Sequence, residues 1–146
     1  MDYEEYEKQC KEIRAENDNL LKIFEEDLKS KGLSEQTIGR HISNVDFYIN
    51  EYLLREDART MEEGVAAIDT FLGYFFIRKC MWSTPGTIKS TAASIKKFYK
   101  SMVDHGKVKK SHYEFLCSEI KDGMEGWQED CAAYNDPDAA NPFCWF

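Results

Sequence analysis

Apolar residues recur every three or four positions along most of this chain, and this spacing constrains the fold more than any other sequence feature. Within residues 84–106 the apolar positions share one side of a helix: Ile88, Ala92, Ile95, Tyr99 and Met102. Only three prolines and eight glycines interrupt 146 residues, so long helices are favoured over short strands. The spacing predicts an all-α fold, a compact bundle of about five helices.

Capping residues set the predicted helix boundaries. Gly32 and Gly106 are good C-terminal stops, because glycine adopts the left-handed backbone that ends many helices. The predicted helix starts are Ser34, Thr84 before Pro85, and two capping boxes, Thr60–Glu63 and Ser111–Glu114. The helix that follows the first box is apolar nearly all round from Ile68 onward, which is typical of a buried central helix.

The N-terminal helix has a heptad seam about three repeats long. Its members are Tyr3, Tyr6, Cys10, Ile13, Asn17, Leu20 and Phe24. The seam predicts either a homodimeric coiled coil through Tyr3, Tyr6, Cys10, Ile13, Asn17 and Leu20, or a helix that packs on its own domain. The predicted organisation is an N-terminal helical extension (1–18), a helical domain (19–134) and an aromatic C-terminal tail (135–146) that ends in Phe143–Phe146.

Composition excludes several classes of protein. The five cysteines are widely spaced without a C-x-x-C motif, so neither a disulfide framework nor a zinc site is predicted. The first ten residues are acidic and lack an apolar run, so no signal peptide is predicted. The longest apolar run is too short to span a bilayer, and we expect a cytoplasmic protein that does not bind membranes. The three histidines form no metal or catalytic motif, and no phosphate-binding glycine loop occurs. We therefore predict no enzyme activity, no cofactor and no metal.

Charge is distributed unevenly along this acidic chain of net charge −8. Residues 84–110 carry seven lysines and one aspartate, whereas residues 111–146 carry one lysine and eight acids. A helical wheel centred on Ile88 places Thr87, Ser90, Ser94, Lys97 and Ser101 on the outer side, with Lys89 and Lys100 on one flank. Small hydroxyls allow close approach to a DNA groove and lysines neutralise phosphate, although the same residues also make an ordinary soluble surface. Lys107, Lys109 and Lys110 extend the basic stretch beyond the helix.

Residues 20–115 resemble the N-terminal core-binding domain of phage-integrase-type tyrosine recombinases, which has a SAM-like helical fold. The resemblance rests on Gly32-Leu33-Ser34, on Thr37-Ile38 and on Phe98-Tyr99 before Gly106, in matching order and spacing. In that family two helices approach the major groove of DNA. The resemblance implies these DNA-facing residues: Thr37, Arg40, His41 and Asn44 on the second helix, and Thr87, Lys89, Ser90, Thr91, Ser94 and Lys97 on the fourth.

The chain departs from that family in one decisive respect. Tyrosine recombinases carry a His-x-x-Arg motif in a separate catalytic domain, and none of His41, His105 and His112 is followed by arginine at the third position. We therefore expect a small, complete, non-catalytic duplex-DNA-binding module related to integrase core-binding domains. It would dock the Thr87–Lys97 face in a groove, with Lys107, Lys109 and Lys110 on phosphate and Lys100 also among the DNA-binding residues. The alternative is a helical protein-interaction or oligomerisation module that has lost DNA binding.

Overall fold

A computed structural model describes residues 2–138 of the chain, and within that range it contains five helices and no strand. The helices are α1 (Tyr3–Ser30), α2 (Glu35–Asp46, continued by a π-helical segment, Phe47–Tyr52), α3, α4 (Pro85–Asp104) and α5 (Lys110–Asn135). Helix α3 consists of three consecutive segments: Ile68–Thr70, π-helical Phe71–Phe75, and Phe76–Lys79. The predicted all-α bundle is therefore confirmed. The predicted tail lies outside the described residues from position 139 onward.

Most of the predicted helix boundaries are confirmed. The Ser34 hydroxyl accepts a hydrogen bond from the Thr37 amide at 3.2 Å, and Thr84 accepts one from the Thr87 amide at 3.0 Å. Pro85 occupies the first position of α4. Two glycines take left-handed backbone conformations where helices end, Gly32 with φ 76° after α1 and Gly106 with φ 71° after α4.

The second predicted capping box is wrong. Helix α5 begins at Lys110, and its N-cap, Lys109, makes no side-chain hydrogen bond to the helix. The amides of His112 and Tyr113 bond to the Lys109 carbonyl at 3.0 and 3.2 Å, which places Lys109 directly before the helix. Ser111 therefore lies within the first turn rather than before it.

The first predicted capping box forms, but it does not start a long helix. The Thr60 amide bonds to Glu63 at 3.0 Å, yet only a 3₁₀ turn follows, Glu63–Ala66. Buried tyrosine hydroxyls anchor this turn: Tyr99 donates to the carbonyl of Met61, and Tyr48 donates to the carbonyl of Gly64. Both carbonyls also accept backbone amides three residues further on, Met61 from Gly64 at 3.1 Å and Gly64 from Ala67 at 3.2 Å. The segment therefore keeps 3₁₀ bonding, and the regular helix begins only at Ile68.

Helix α4 is central to the fold, because it packs against α5, α2 and α1. Its predicted stripe from Ile88 to Met102 is buried. Phe98, on a second side of the helix, meets Phe24 of α1 with ring centroids 5.4 Å apart. A further aromatic cluster joins α2 to α3, with the Tyr48 and Phe71 centroids 4.7 Å apart. Two sides of α4 are thus buried.

The heptad seam of α1 packs on its own domain. Cys10, Asn17 and Leu20 are buried, and Asn17 donates a 2.7 Å hydrogen bond to Asn50 at the π-helical end of α2. These three residues therefore cannot form the seam of a homodimer, whereas Tyr3 remains exposed. Helix α1 continues without a break through residue 18. No helix in residues 2–138 has the length and apolar character needed to cross a membrane.

Candidate nucleic-acid interface

The two groups of predicted DNA-facing residues meet where α2 crosses α4. Ser94 of α4 lies between two side chains of α2, with its Oγ 2.7 Å from His41 Nδ1 and 3.0 Å from Asn44 Nδ2. The distances are those of ordinary hydrogen bonds. The structure therefore brings together the two helices that the resemblance paired.

The three side chains form a hydrogen-bond network centred on Ser94. The Ser94 hydroxyl donates its one proton to the carbonyl of Ser90 at 3.1 Å and accepts a hydrogen bond from the Asn44 side-chain amide. Because that proton is already used, Ser94 must also accept from His41, and the proton of this bond is on Nδ1. Burial lowers the pKa of His41 below its usual 6.5, and the nearby charges of Arg40 and Lys97 lower it further. His41 is therefore a neutral imidazole that supports the contact between α2 and α4.

The network corrects part of the predicted interface. His41, Thr91 and Ser94 are buried between helices, so these side chains cannot reach DNA. The wheel assigned Ser94 and Ser101 to solvent because it assumed one buried side, centred on Ile88. Helix α4 buries a second side against α2 and α1, and both serines lie there. Their hydroxyls satisfy helix contacts instead of phosphates.

The remaining surface of α4 is a strip of lysines. We call it the lysine face, and it comprises Lys89, Lys96, Lys97 and Lys100, with the small residue Ala93 among them, all exposed. The sequence prediction omitted Lys96, because the wheel placed the outer side too far round the helix. Only Lys100 has an acidic partner among the described residues, Asp104 at 3.0 Å, and both groups are about half exposed, so the pair is weak.

Helix α2 adds one cation to this surface. Arg40 is exposed, and both Arg40 and Lys97 act electrostatically on the ring of His41, so the two charges lie near the same histidine. Asn44 is half-buried and committed to Ser94. Arg40 is therefore the residue of α2 that extends the lysine face across the helix crossing.

The predicted threonines and Ser90 have local roles. Thr37 accepts from the Ser34 hydroxyl at 3.0 Å at the start of α2. Thr87 accepts from the Thr84 amide at 2.7 Å, and Ser90 donates to the Thr87 carbonyl at 3.3 Å within α4. These hydroxyls are half-buried and stabilise the first turns of the helices.

The three lysines after α4 do not share one environment. Lys107 lines a cavity of about 330 Å³ together with Glu12, Glu16 and Glu62, so its charge lies among acids of α1 and of the segment before α3. Lys109 and Lys110 are exposed at the start of α5. Lys107 is thus set apart from the predicted phosphate contacts.

Within residues 2–138, histidines, cysteines and acids form no group of three that could hold a metal ion. Comparisons with protein-family models, with curated proteins and with solved structures found no match. The resemblance to integrase core-binding domains therefore rests on the residues of this chain alone.

Proposed function

We propose that this chain is a non-catalytic duplex-DNA-binding module, related to the core-binding domains of site-specific recombinases and integrases, that docks the lysine face on the phosphate backbone. The observation that carries the proposal is the grouping of four exposed lysines on one side of α4 in a chain of net charge −8. Arg40 adds a fifth positive charge from α2. Phosphate contacts of this kind supply affinity and fix orientation.

Close approach to the duplex depends on small residues between the lysines. Ala93 lies among Lys89, Lys96 and Lys97 and is exposed, and Gly86 is exposed at the start of the same helix. The methyl group of Ala93 is short and Gly86 has no side chain, so neither residue holds the helix away from a phosphate strand. The sequence analysis expected small hydroxyl side chains to allow this close approach. Several of those hydroxyls are instead buried, such as Ser94, or used in a helix cap, such as Thr87.

The acidic ends of the chain support a single docking orientation. Residues 1–30 hold ten acids against five bases, and residues 111–146 hold eight acids against one lysine. DNA repels these segments, so electrostatic steering turns the lysine face toward the duplex. Such binding weakens with added salt, because each neutralised phosphate releases condensed counterions.

The test is fluorescence anisotropy of a labelled duplex across a salt series, using the full chain and two variants of equal charge. In the first, Lys89, Lys96 and Lys97 become Gln; in the second, three exposed lysines of α1 do so: Lys8, Lys11 and Lys22. The slope of the logarithm of the binding constant against the logarithm of salt concentration reports the number of phosphates contacted. If each of the three lysines contacts one phosphate, this slope should be about 2.7 smaller in magnitude in the first variant. The α1 variant keeps the slope of the full chain.

Two outcomes would overturn the proposal. One is a lack of binding even at low salt, which would leave the protein-interaction alternative. The other is equal weakening in both triple variants, which would mean that net charge alone governs binding. Arg40→Gln is a separate probe of the α2 contribution, and its expected effect on the salt slope is about one third of that of the triple variant.

A further inference from the structure

A cavity of about 210 Å³ lies between the end of α2, the segment 53–59 that follows it, and α3. We call it the arginine cavity. Three of its lining residues are cations, Arg55, Arg59 and Lys79, whereas one is an acid, Glu56. All of its lining residues precede α4, so it shares no residue with the lysine face. Such a concentration of positive charge needs an explanation in a chain of net charge −8.

Two stacked pairs of arginine and aromatic ring line the arginine cavity. Tyr52 ends the π-helical segment of α2 and Phe75 ends that of α3, and their ring centroids lie 4.9 Å apart. The Arg59 guanidinium lies over the Tyr52 ring at 5.2 Å. The Arg55 guanidinium lies over the Phe75 ring at 4.8 Å. π-helical turns are rare and are frequent at functional sites, and two of them end at this cavity.

The backbone of segment 53–59 is fixed by hydrogen bonds at both arginines. The Arg55 amide donates to the Tyr52 carbonyl at 3.3 Å. The Arg59 amide donates to the Leu53 carbonyl, also at 3.3 Å. From α1, the Tyr6 hydroxyl bonds to the Arg55 carbonyl at 3.2 Å. The cavity is therefore preformed, which reduces the ordering cost of binding a ligand.

The cavity contains hydrogen-bond donors that the protein does not use. The Tyr52 hydroxyl donates to Thr70 at 3.2 Å, and Thr70 donates to the Ala67 carbonyl at 3.0 Å, so both hydroxyl protons are taken. Arg59 Nε, in contrast, is buried and has no hydrogen-bond partner within residues 2–138. Over the same range neither Arg59 nor Lys79 forms an ion pair. A buried donor without a partner is costly, so an acceptor from a ligand would be stabilising here.

The charge and geometry of these groups fit an oxyanion. A guanidinium that stacks on a ring uses its face, which leaves its N–H edge for acceptor oxygens. The acidic neighbour of Arg55 is Glu56 at 3.8 Å, but their side chains are 48% and 80% exposed, so the pair is weak. A phosphate monoester carries a charge of about −1.5 to −2 and three strong acceptor oxygens. It therefore matches three cations better than one carboxylate does.

We propose that the arginine cavity binds the phosphate group of a small phosphate monoester, with Arg55, Arg59 and Lys79 around its oxygens. The organic part of the ester lies against Tyr74, which lines the cavity and is 55% exposed. The cavity has room for several water-sized groups, since one water occupies about 30 Å³ in the liquid. Because no lining residue belongs to α4, this inference does not depend on the proposed DNA binding.

The test is an NMR titration of the full chain with phenyl phosphate at constant ionic strength, which follows backbone amides and arginine Nε–H signals. We expect saturable shifts at Arg55, Arg59 and Lys79. Benzoate, an aromatic monoanion, should bind at least about tenfold more weakly, and inorganic phosphate should bind no more tightly than phenyl phosphate. Affinity for phenyl phosphate should fall as pH decreases through about 6, where a phosphate monoester gains its second proton.

Four single variants separate the site from general charge effects. Arg59→Gln should lower the affinity for phenyl phosphate by at least about tenfold, and Arg59→Lys, which keeps the charge but loses the planar fork, should lower it less. Lys79→Gln is an exposed change that should also weaken binding, and it tests the site even if the Arg59 variants fail to fold. Lys22→Gln, an exposed change on α1, is the matched control and should bind like the parent protein.

Several results would overturn the proposal. Shifts that do not saturate would indicate a general salt effect, and saturable shifts at Lys96 and Lys97 alone would place the phosphate on the lysine face. Tighter binding of inorganic phosphate than of phenyl phosphate would make a free phosphate ion the occupant. In the separate duplex titration, Arg59→Gln should leave the salt slope unchanged. A slope reduced by about 0.9 would instead make the cavity part of the DNA surface.

Discussion

Ser94 Oγ and His41 Nδ1 lie 2.7 Å apart at the crossing of α4 and α2, close to the charges of Lys97 and Arg40. This contact links the stability of the fold to the surface proposed to bind DNA. The charges of Arg40 and Lys97 lower the pKa of buried His41, while Ser94 of α4 bonds to His41 and Asn44 of α2. Several measurements follow from that arrangement.

Replacement of Ser94 by alanine should destabilise the protein by about 1–3 kcal/mol, because the Asn44 amide and the His41 ring lose their shared partner in a buried site. Urea unfolding measures the change. Ser90→Ala is the matched control, since its hydroxyl donates only within α4, and it should change the free energy of unfolding by less than about 0.5 kcal/mol. Equal losses in the two variants would contradict the proposed role of the network.

The stability of the protein should fall as pH drops below about 6.5. The pKa of His41 is lower in the folded than in the unfolded chain, so the unfolded chain binds this proton first. The contribution of neutral His41 to the free energy of unfolding is complete above the pKa of this histidine in the unfolded chain. It is lost as pH falls from there toward the lower pKa of His41 in the folded chain. Unfolding at a series of pH values measures the slope. In His41→Gln that part of the slope should vanish, whatever the absolute stability of the variant.

Bound duplex should raise the pKa of His41. Phosphates on Arg40 and Lys97 would offset the two positive charges that now disfavour the imidazolium. The measurement is an NMR titration of the ring with and without DNA at fixed salt. Lys97→Gln should raise the same pKa without DNA, which provides an internal check. An unchanged His41 titration in saturated complex would place the DNA elsewhere.

Asp27→Asn should weaken the attachment of α1 to the C-terminal end of α4. Although burial acts to raise the pKa of Asp27, hydrogen bonds from Ser101 and from His105, the latter at 3.0 Å, hold it below 3.8. The expected loss is about 1–3 kcal/mol at neutral pH, and it should shrink as pH falls through the folded pKa. Chemical denaturation at several pH values measures it. Asp18→Asn, an exposed change on α1, is the control and should have little effect.

Two glycines of α5 should respond oppositely to alanine. A Cβ at Gly126 meets nothing within 4 Å, so Gly126→Ala should stabilise the helix by about 0.5–1 kcal/mol. A Cβ at Gly123 would collide with the Trp127 ring, which is buried and donates a 2.7 Å hydrogen bond to Asp69. Displacing that ring costs about 1–3 kcal/mol. In thermal unfolding, the Tm of Gly123→Ala should therefore be lower than that of the parent protein, and the Tm of Gly126→Ala should be higher.

Local sequence signals locate most of the helices. Caps such as Ser34 and Thr84 act through neighbours three residues away, and Gly32 and Gly106 act through their own backbone. Such signals need no knowledge of the rest of the chain, which is why the sequence alone reveals them. The contacts that anchor the 3₁₀ turn before α3 are not predictable in this way, because the hydroxyls of Tyr48 and Tyr99 come from distant parts of the sequence.

The candidate interface is only partly predictable for the same reason. Periodicity identifies the side of α4 that carries Ile88, but it does not show that α2 and α1 cover the side that carries Ser94. A serine in the sequence does not indicate whether its position is exposed or buried, because the Ser94 hydroxyl could bond equally well to water or to a buried network. Lys96 becomes part of the lysine face only once both buried sides are known.

The division of α4 into two covered sides and one open side has an evolutionary consequence. The residues that hold the bundle together and the residues that present charge occupy separate positions of one helix. Selection can therefore change the charges at positions 89, 96, 97 and 100 without disturbing the core, and a few substitutions would create or erase the surface while the fold persisted. Descendants of one ancestor could share this architecture and differ completely in what they bind.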